Sequence, residues 1–171
     1  LGKVLYEKGE VDLSLDKFNK SLELSPENIE YLIGLALALV DKKELDKALK
    51  ILLDASEKNP KNPELLHALC NVYTKKGSLT VAISHCEKVL ELKPKLYKTM
   101  NRLAWLYAKK QIKLVKAAEL SKQTLKVFPK RHEYIDTLSE IYYVQGKKDQ
   151  AIAKIKEALE LVPDDPYYKK Q

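Results

Sequence analysis

Apolar positions along this chain recur with the period of a helix, not with the two-residue alternation of a strand. Leu65, Leu66, Leu69, Val72 and Tyr73 fall three or four residues apart, which predicts a helix with one apolar face. Lys75-Lys76-Gly77 ends that stretch, with glycine where a left-handed residue closes a helix. A second helix follows at once. Asp12, Asp46, Thr80 and Asp149 fall in the first turns of such second helices, where acceptors and negative charge suit free N–H groups. Asn62-Pro63-Glu64 reads as N-cap, first helical residue and acidic first turn, and Asp165-Pro166 repeats it. Gly9 and Gly146 occupy the place of Gly77, but Lys43 and Gln111 stand there in two other units. Those two turns are expected to close another way.

The units are set by proline. Pro26, Pro60, Pro94, Pro129 and Pro163 are separated by 34, 34, 35 and 34 residues. A proline at that interval in a helical chain marks a two-helix unit repeated in tandem. With the ruler proline at position 32, the units run 29–62, 63–96, 97–131 and 132–165, after a truncated unit 1–28. Residues 166–171 then begin a capping helix or form a tail. The whole chain reads as one array.

Small residues recur where helices must cross closely. Position 8 is Gly2, Ala36, Cys70, Ala104 and Ser139, and position 20 is Ser14, Ala48, Ala82, Ala117 and Ala151. Position 27 is Ser21, Ala55, Val89, Thr124 and Ala158. Position 11 is larger, with Leu5, Leu39, Tyr73, Tyr107 and Tyr142, and position 24 holds Phe18, Leu52, Cys86, Ser121 and Ile155. Small against large is how crossing helices interdigitate.

This pattern, with Leu at 7, a small residue at 8, Tyr at 11, Ala at 20 and 27 and Pro at 32, resembles the tetratricopeptide repeat. The likeness covers nearly the whole chain. Leu32, Leu66, Met100 and Ile135 stand where the family often has Trp. Pentatricopeptide repeats, which read RNA, have a period about one residue longer and lack this proline ruler. The resemblance implies an all-α, right-handed superhelical solenoid of about five stacked helix-turn-helix units. First helices would line a concave groove and second helices the convex face.

Composition narrows the function classes. Of 171 residues, 45% are hydrophobic, too many for a disordered chain. The richest apolar stretch, Tyr31 to Val40, is too short for a membrane helix. No signal peptide opens the chain, and no initiator Met does either. The chain is therefore expected to be a fragment whose targeting signal lies outside it, with a weak preference for a cytoplasmic protein. Cys70 and Cys86 sit on packing positions and read most simply as buried small hydrophobes, a hint of a reducing compartment. A bond between them is the less favoured alternative. His67, His85 and His132 lack metal-ligand spacing, and no nucleophile elbow or phosphate loop is present. No cofactor, no metal and no enzymatic role are expected.

The formal net charge is +7, and all the basic residues but Arg102 and Arg131 are lysine. Lys42-Lys43, Lys75-Lys76, Lys109-Lys110 and Lys147-Lys148 cluster at helix ends, where they favour C-termini and solubility. Nucleic-acid or anionic-surface binding rests on net charge alone, and scarce arginine counts against base readout. Nucleic acid is not expected as a partner.

On the family's first helix, positions 2, 5, 6, 9, 12 and 13 face the groove. The early groove would be apolar, with Tyr6, Ile33, Leu37 and Val40, and would include Gly34. The middle would be polar and basic, with His67, Asn71, Lys98, Asn101 and Arg102 around Trp105, the only tryptophan. The last unit would be acidic, with Glu133, Asp136 and Glu140. Arg102 is expected to hold a partner's carboxylate or, slightly preferred, to pair with Asp136 or Glu140 one helix along. Some family members bind chaperone tails through a two-carboxylate clamp. Lys98 and Arg102 match its last two places, while Ile33, Leu37 and Ala68 depart from the first three. The function expected is a scaffold that binds a peptide or helix of a protein partner in the groove. The alternative is a structural spacer or oligomerisation module, associating through the truncated N-terminal end.

Overall fold

The computed structural model describes residues 1–165. Among these residues ten helices follow one another: α1 (Gly2–Glu7), α2 (Val11–Leu24), α3 (Ile29–Asp41), α4 (Leu45–Lys58), α5 (Pro63–Lys75), α6 (Leu79–Leu92), α7 (Tyr97–Lys110), α8 (Leu114–Val127), α9 (His132–Val144) and α10 (Lys148–Leu161). No strand occurs among the described residues. The class is the expected all-α solenoid of helix pairs. The expectation of a capping helix or tail at 166–171, with the Asp165-Pro166 start, lies outside the described residues.

The helices group into two compact bodies, Leu1–Lys93 and Pro94–Gln171, the second described to Asp165. In the first, α3 packs against α1, α2, α4 and α5, and α5 against α4 and α6. In the second, α9 packs against α7, α8 and α10. Within each body a first helix thus touches its own partner and a neighbouring first helix, as stacked pairs require.

The five turns inside the units share one geometry. Gly9, Gly77 and Gly146 have φ of 80°, 80° and 75°. The Gly77 N–H donates to the Thr74 carbonyl at 3.1 Å, and the Ser78 N–H to the Tyr73 carbonyl at 2.9 Å, which satisfies the last open acceptors of the helix. Units two and four do not close another way, as their sequence suggested. Lys43 and Gln111 take the same left-handed place, with φ of 63° and 54°. Their N–H groups reach Val40 and Ala108 carbonyls at 2.9 Å, and Glu44 and Ile112 reach Leu39 and Tyr107. The hydrogen-bond pattern requires that backbone, so a residue with a Cβ is held there under strain. The extra residue of unit four is absorbed by a second left-handed residue, Lys113, with φ of 46°. Lys43→Gly and Gln111→Gly are each expected to raise stability by about 1 kcal/mol, because glycine relieves that strain. Urea unfolding checks this, and a loss of stability in both variants would contradict it.

Helix starts follow two rules. Asn28 and Asn62 accept from the Tyr31 and Leu65 N–H groups at 3.1 and 3.0 Å and cap α3 and α5, with Pro63 in the first turn as expected. The second helices have no side-chain cap bond. Asp12 and Asp46 do sit in first turns, but they also accept from Lys42 and Lys76, the C-cap residues of α3 and α5. Each such pair ties a second helix to the first helix of the next unit. The pairs are exposed, so they orient more than they stabilise. Lys147 and Lys148 depart from the C-terminal pattern of the other lysine pairs. They are the N-cap and first residue of α10, where the helix dipole opposes them.

The first body is centred on Phe18, Leu39, Leu52, Leu65, Leu69 and Val72, all buried. In the second body Met100, Leu103, Leu106, Tyr107, Ile135 and Ile141 are buried. Cys70 and Cys86 are not separate hydrophobes: they form a disulfide, with Cα atoms 5.6 Å apart. Position 8 of α5 and position 24 of α6 meet in the crossing inside unit three, and two short side chains there come within bonding reach. The hint of a reducing compartment falls with this bond.

Candidate functional site

In the first body, Ile33 and Val40 are partly buried and pack against the core, and Leu37 is half-buried. The early apolar stretch is therefore in part core. Gly34 is not groove lining either: a Cβ on it would lie 2.3 Å from Phe18 Cζ. Position 6 points inward at Ala68 and Thr137 too, which are 2% and 3% exposed. The Tyr6 side chain hydrogen-bonds Asp41, and its hydroxyl pKa is pushed up to about 12, by burial first and then by that carboxylate. On α5, Asn71 Nδ2 lies 3.1 Å from His67 Nε2, one helical turn away. Asn71 Oδ1 is buried with no hydrogen-bond partner among the described residues.

The second body carries the densest group of expected site residues. Lys98, Asn101, Arg102 and Trp105 lie on α7, and Asp136 and Glu140 on α9. Asn101 Nδ2 donates to Thr137 Oγ1 at 3.0 Å, and Thr137 Oγ1 donates to the Glu133 carbonyl at 3.0 Å. Asn101 Oδ1 is left buried without a partner among the described residues. An acceptor in that state is costly until something donates to it. Lys98 is exposed, while Asp136 is half-buried.

Arg102 occupies position 6, where the other units carry Gly34, Ala68 and Thr137. A long cationic side chain thus stands where small ones are packed. It is half-buried, and burial alone lowers its pKa from the usual arginine value. The preferred expectation, a pair with Asp136 or Glu140, is not met. Arg102 forms no ion pair among the described residues, and Glu140 pairs instead with Lys109. Lys109 also lies over the Trp105 ring, 5.3 Å from its centroid, within cation–π range. Of the acidic end, Glu133 lies 3.5 Å from Arg131 Nε. Two carboxylates of α9, Glu140 and Glu133, thus face cations other than Arg102.

Lys109 stands at position 13 of its unit, one of the groove-facing places, but its pairing with Trp105 and Glu140 was not foreseen. Its spacing of four from Trp105 on one helix was the available signal. No cluster of metal-ligating residues occurs among the described residues, and none of their helices is long and apolar enough to cross a membrane.

Family models described as tetratricopeptide repeat match residues 5–71 and 63–96, together more than half of the chain. No curated protein matches the sequence. Among solved structures, TTC0263, a thermophilic TPR protein in Thermus thermophilus, aligns over 99% of this chain and 92% of its own, with 25% identity and a TM-score of 0.82. YrrB, described as a TPR protein with an unusual peptide-binding site, aligns over 99% and 87%, with 17% identity and a TM-score of 0.73. MamA aligns over 94% and 87%, with 21% identity and a TM-score of 0.71. The last two likenesses concern the fold.

Proposed function

Given that the chain belongs to the tetratricopeptide-repeat family, we propose that it is a non-enzymatic scaffold holding a peptide or helix of a protein partner. The binding face in the second body is built on Asn101, Arg102 and Trp105. The observation that carries this reading is Arg102: a half-buried guanidinium with no counter-charge among the described residues. A partner carboxylate would supply that charge through two parallel hydrogen bonds. The unsatisfied Asn101 Oδ1 would take a main-chain N–H, and Trp105 would offer a flat apolar anchor. The YrrB description, a peptide-binding TPR protein, is in keeping with this chemistry.

The test uses the sole tryptophan, Trp105, as its own reporter. Proteins captured by the immobilised chain are reduced to binding peptides, and their titration should change Trp105 fluorescence. Arg102→Ala should weaken binding about tenfold or more, and Trp105→Ala should do the same by anisotropy of a labelled peptide. Circular dichroism verifies folding in both variants. Affinity unchanged in both removes this reading.

A further inference from the structure

The formal net charge of +7 is not spread over the chain. Residues 109–131 hold eight of the 31 basic residues and one of the 24 acidic ones, and elsewhere the two signs cancel. This segment is the end of α7, all of α8 and the two turns beside it. Lys109 and Arg131 face Glu140 and Glu133. Lys110, Lys116, Lys126 and Lys130 are exposed and form no ion pair among the described residues. Lys122 is exposed too, its ammonium 5.9 Å from the Tyr142 ring centroid.

The repeat shows how α8 departs from the other second helices. At position 29 the other four units carry Glu23, Glu57, Glu91 and Glu160, and unit four carries Lys126. At position 18, Asp12, Asp46, Thr80 and Asp149 give way to Val115, which is 72% exposed. Both places are exposed in all five units, so neither exchange serves packing. α2, α4, α6 and α10 carry at least as many acidic as basic side chains, whereas α8 has three lysines and Glu119. Val115, Lys116, Lys122, Lys126 and Val127 fall on one exposed side of α8, with Glu119 and Gln123 between them. Ile112 and Phe128 add apolar surface at its two ends, with exposures of 39% and 38%.

A surface that joins lysines to aliphatic side chains suits an anionic bilayer. Ammonium groups meet lipid phosphates while short apolar side chains enter the interface. α8 is 14 residues long, so it displays these groups over about 20 Å. Nucleic acid fits the surface less well. Of the eight basic residues only Arg131 is arginine, and its guanidinium lies over the Tyr134 ring. The Phe128 ring is engaged in edge contacts with Tyr97 and Tyr134. Neither side chain is placed to read or stack on a base. We infer that the exposed face of α8 and the turns beside it dock on an anionic lipid surface. This surface is separate from the Arg102 face, and the inference does not rest on the peptide-binding reading.

The test is co-sedimentation of the full chain with vesicles of phosphatidylcholine, alone or mixed with an equal part of phosphatidylglycerol. Binding should require phosphatidylglycerol and fall as salt rises. Val115→Asp with Lys126→Glu gives unit four the residues that other units carry at these exposed places, so the fold is kept. It should weaken vesicle binding about tenfold or more. Val115→Ser, which changes no charge, should weaken it about fivefold. Lys50→Glu with Lys88→Glu alters exposed lysines of α4 and α6 and lowers the net charge further than the α8 variant does. It should leave binding nearly unchanged, because the face and not the net charge makes the contact. Arg102→Ala should also leave it unchanged. Circular dichroism verifies folding of each variant. Failure to bind the mixed vesicles, an equal loss in the α4 and α6 variant, no effect of Val115→Ser, or dependence on Arg102 overturns the inference. So does a labelled DNA duplex that binds at a lower phosphate concentration than the vesicles.

Discussion

Reduction of the Cys70–Cys86 disulfide is expected to lower stability by about 3 kcal/mol. The two cysteines are separated by 16 residues, and opening a loop of that length returns roughly this much conformational freedom to the unfolded chain. Both sulfurs belong to fully buried residues in the α5–α6 crossing, so reductant should act slowly on the folded chain and fast once unit three opens. The measurement is urea unfolding of oxidised and reduced protein, followed by helical circular dichroism. The Cys70→Ala, Cys86→Ala variant serves as control. Alanine suits position 8, where Ala36 and Ala104 already stand, so the variant should unfold near the reduced protein and be indifferent to reductant. Two free thiols in the denatured, unreduced chain would show that the bond is absent. Equal unfolding of oxidised and reduced protein would show that it contributes nothing.

How far the sequence carried the reading depended on the range of the interaction concerned. Proline spacing and the Gly9, Gly77 and Gly146 turns encode local backbone geometry, and the helix pairs follow from them. Lys43 and Gln111 show the limit of the local rule: hydrogen bonds of the turn override the side chain's preference for negative φ. The disulfide was hidden because a sequence spacing says nothing until the crossing of α5 and α6 brings positions 8 and 24 together. The candidate site was readable as a list of residues on α7 and α9, but not as a set of pairs. Lys109 reaches both Trp105 and Glu140, and so takes one of the two partners expected for Arg102. Which cation takes a shared carboxylate depends on side-chain reach and burial, and neither is written in the repeat pattern.

Phe18 carries the second large effect, and with it a sign change that tests the packing. Its ring is 5% exposed and lies over two glycines, Gly2 of α1 and Gly34 of α3. Phe18→Ala should cost about 3–5 kcal/mol, since it removes a buried ring and leaves a cavity between three helices. Gly34→Ala tests the same contact from the other side. Alanine inside a helix is normally favoured over glycine by about 1 kcal/mol. Here its Cβ would fall 2.3 Å from Phe18 Cζ, so a ring that is only 5% exposed must shift. Forced overpacking of that kind costs about 1–3 kcal/mol, so the net change should be destabilising. In a Phe18→Leu background the shorter side chain no longer reaches the new methyl. Gly34→Ala should then recover its helix preference and stabilise by about 1 kcal/mol. A double-mutant cycle by urea unfolding reads the coupling directly. Gly34→Ala having the same effect in both backgrounds would mean that α2 and α3 do not approach through this glycine.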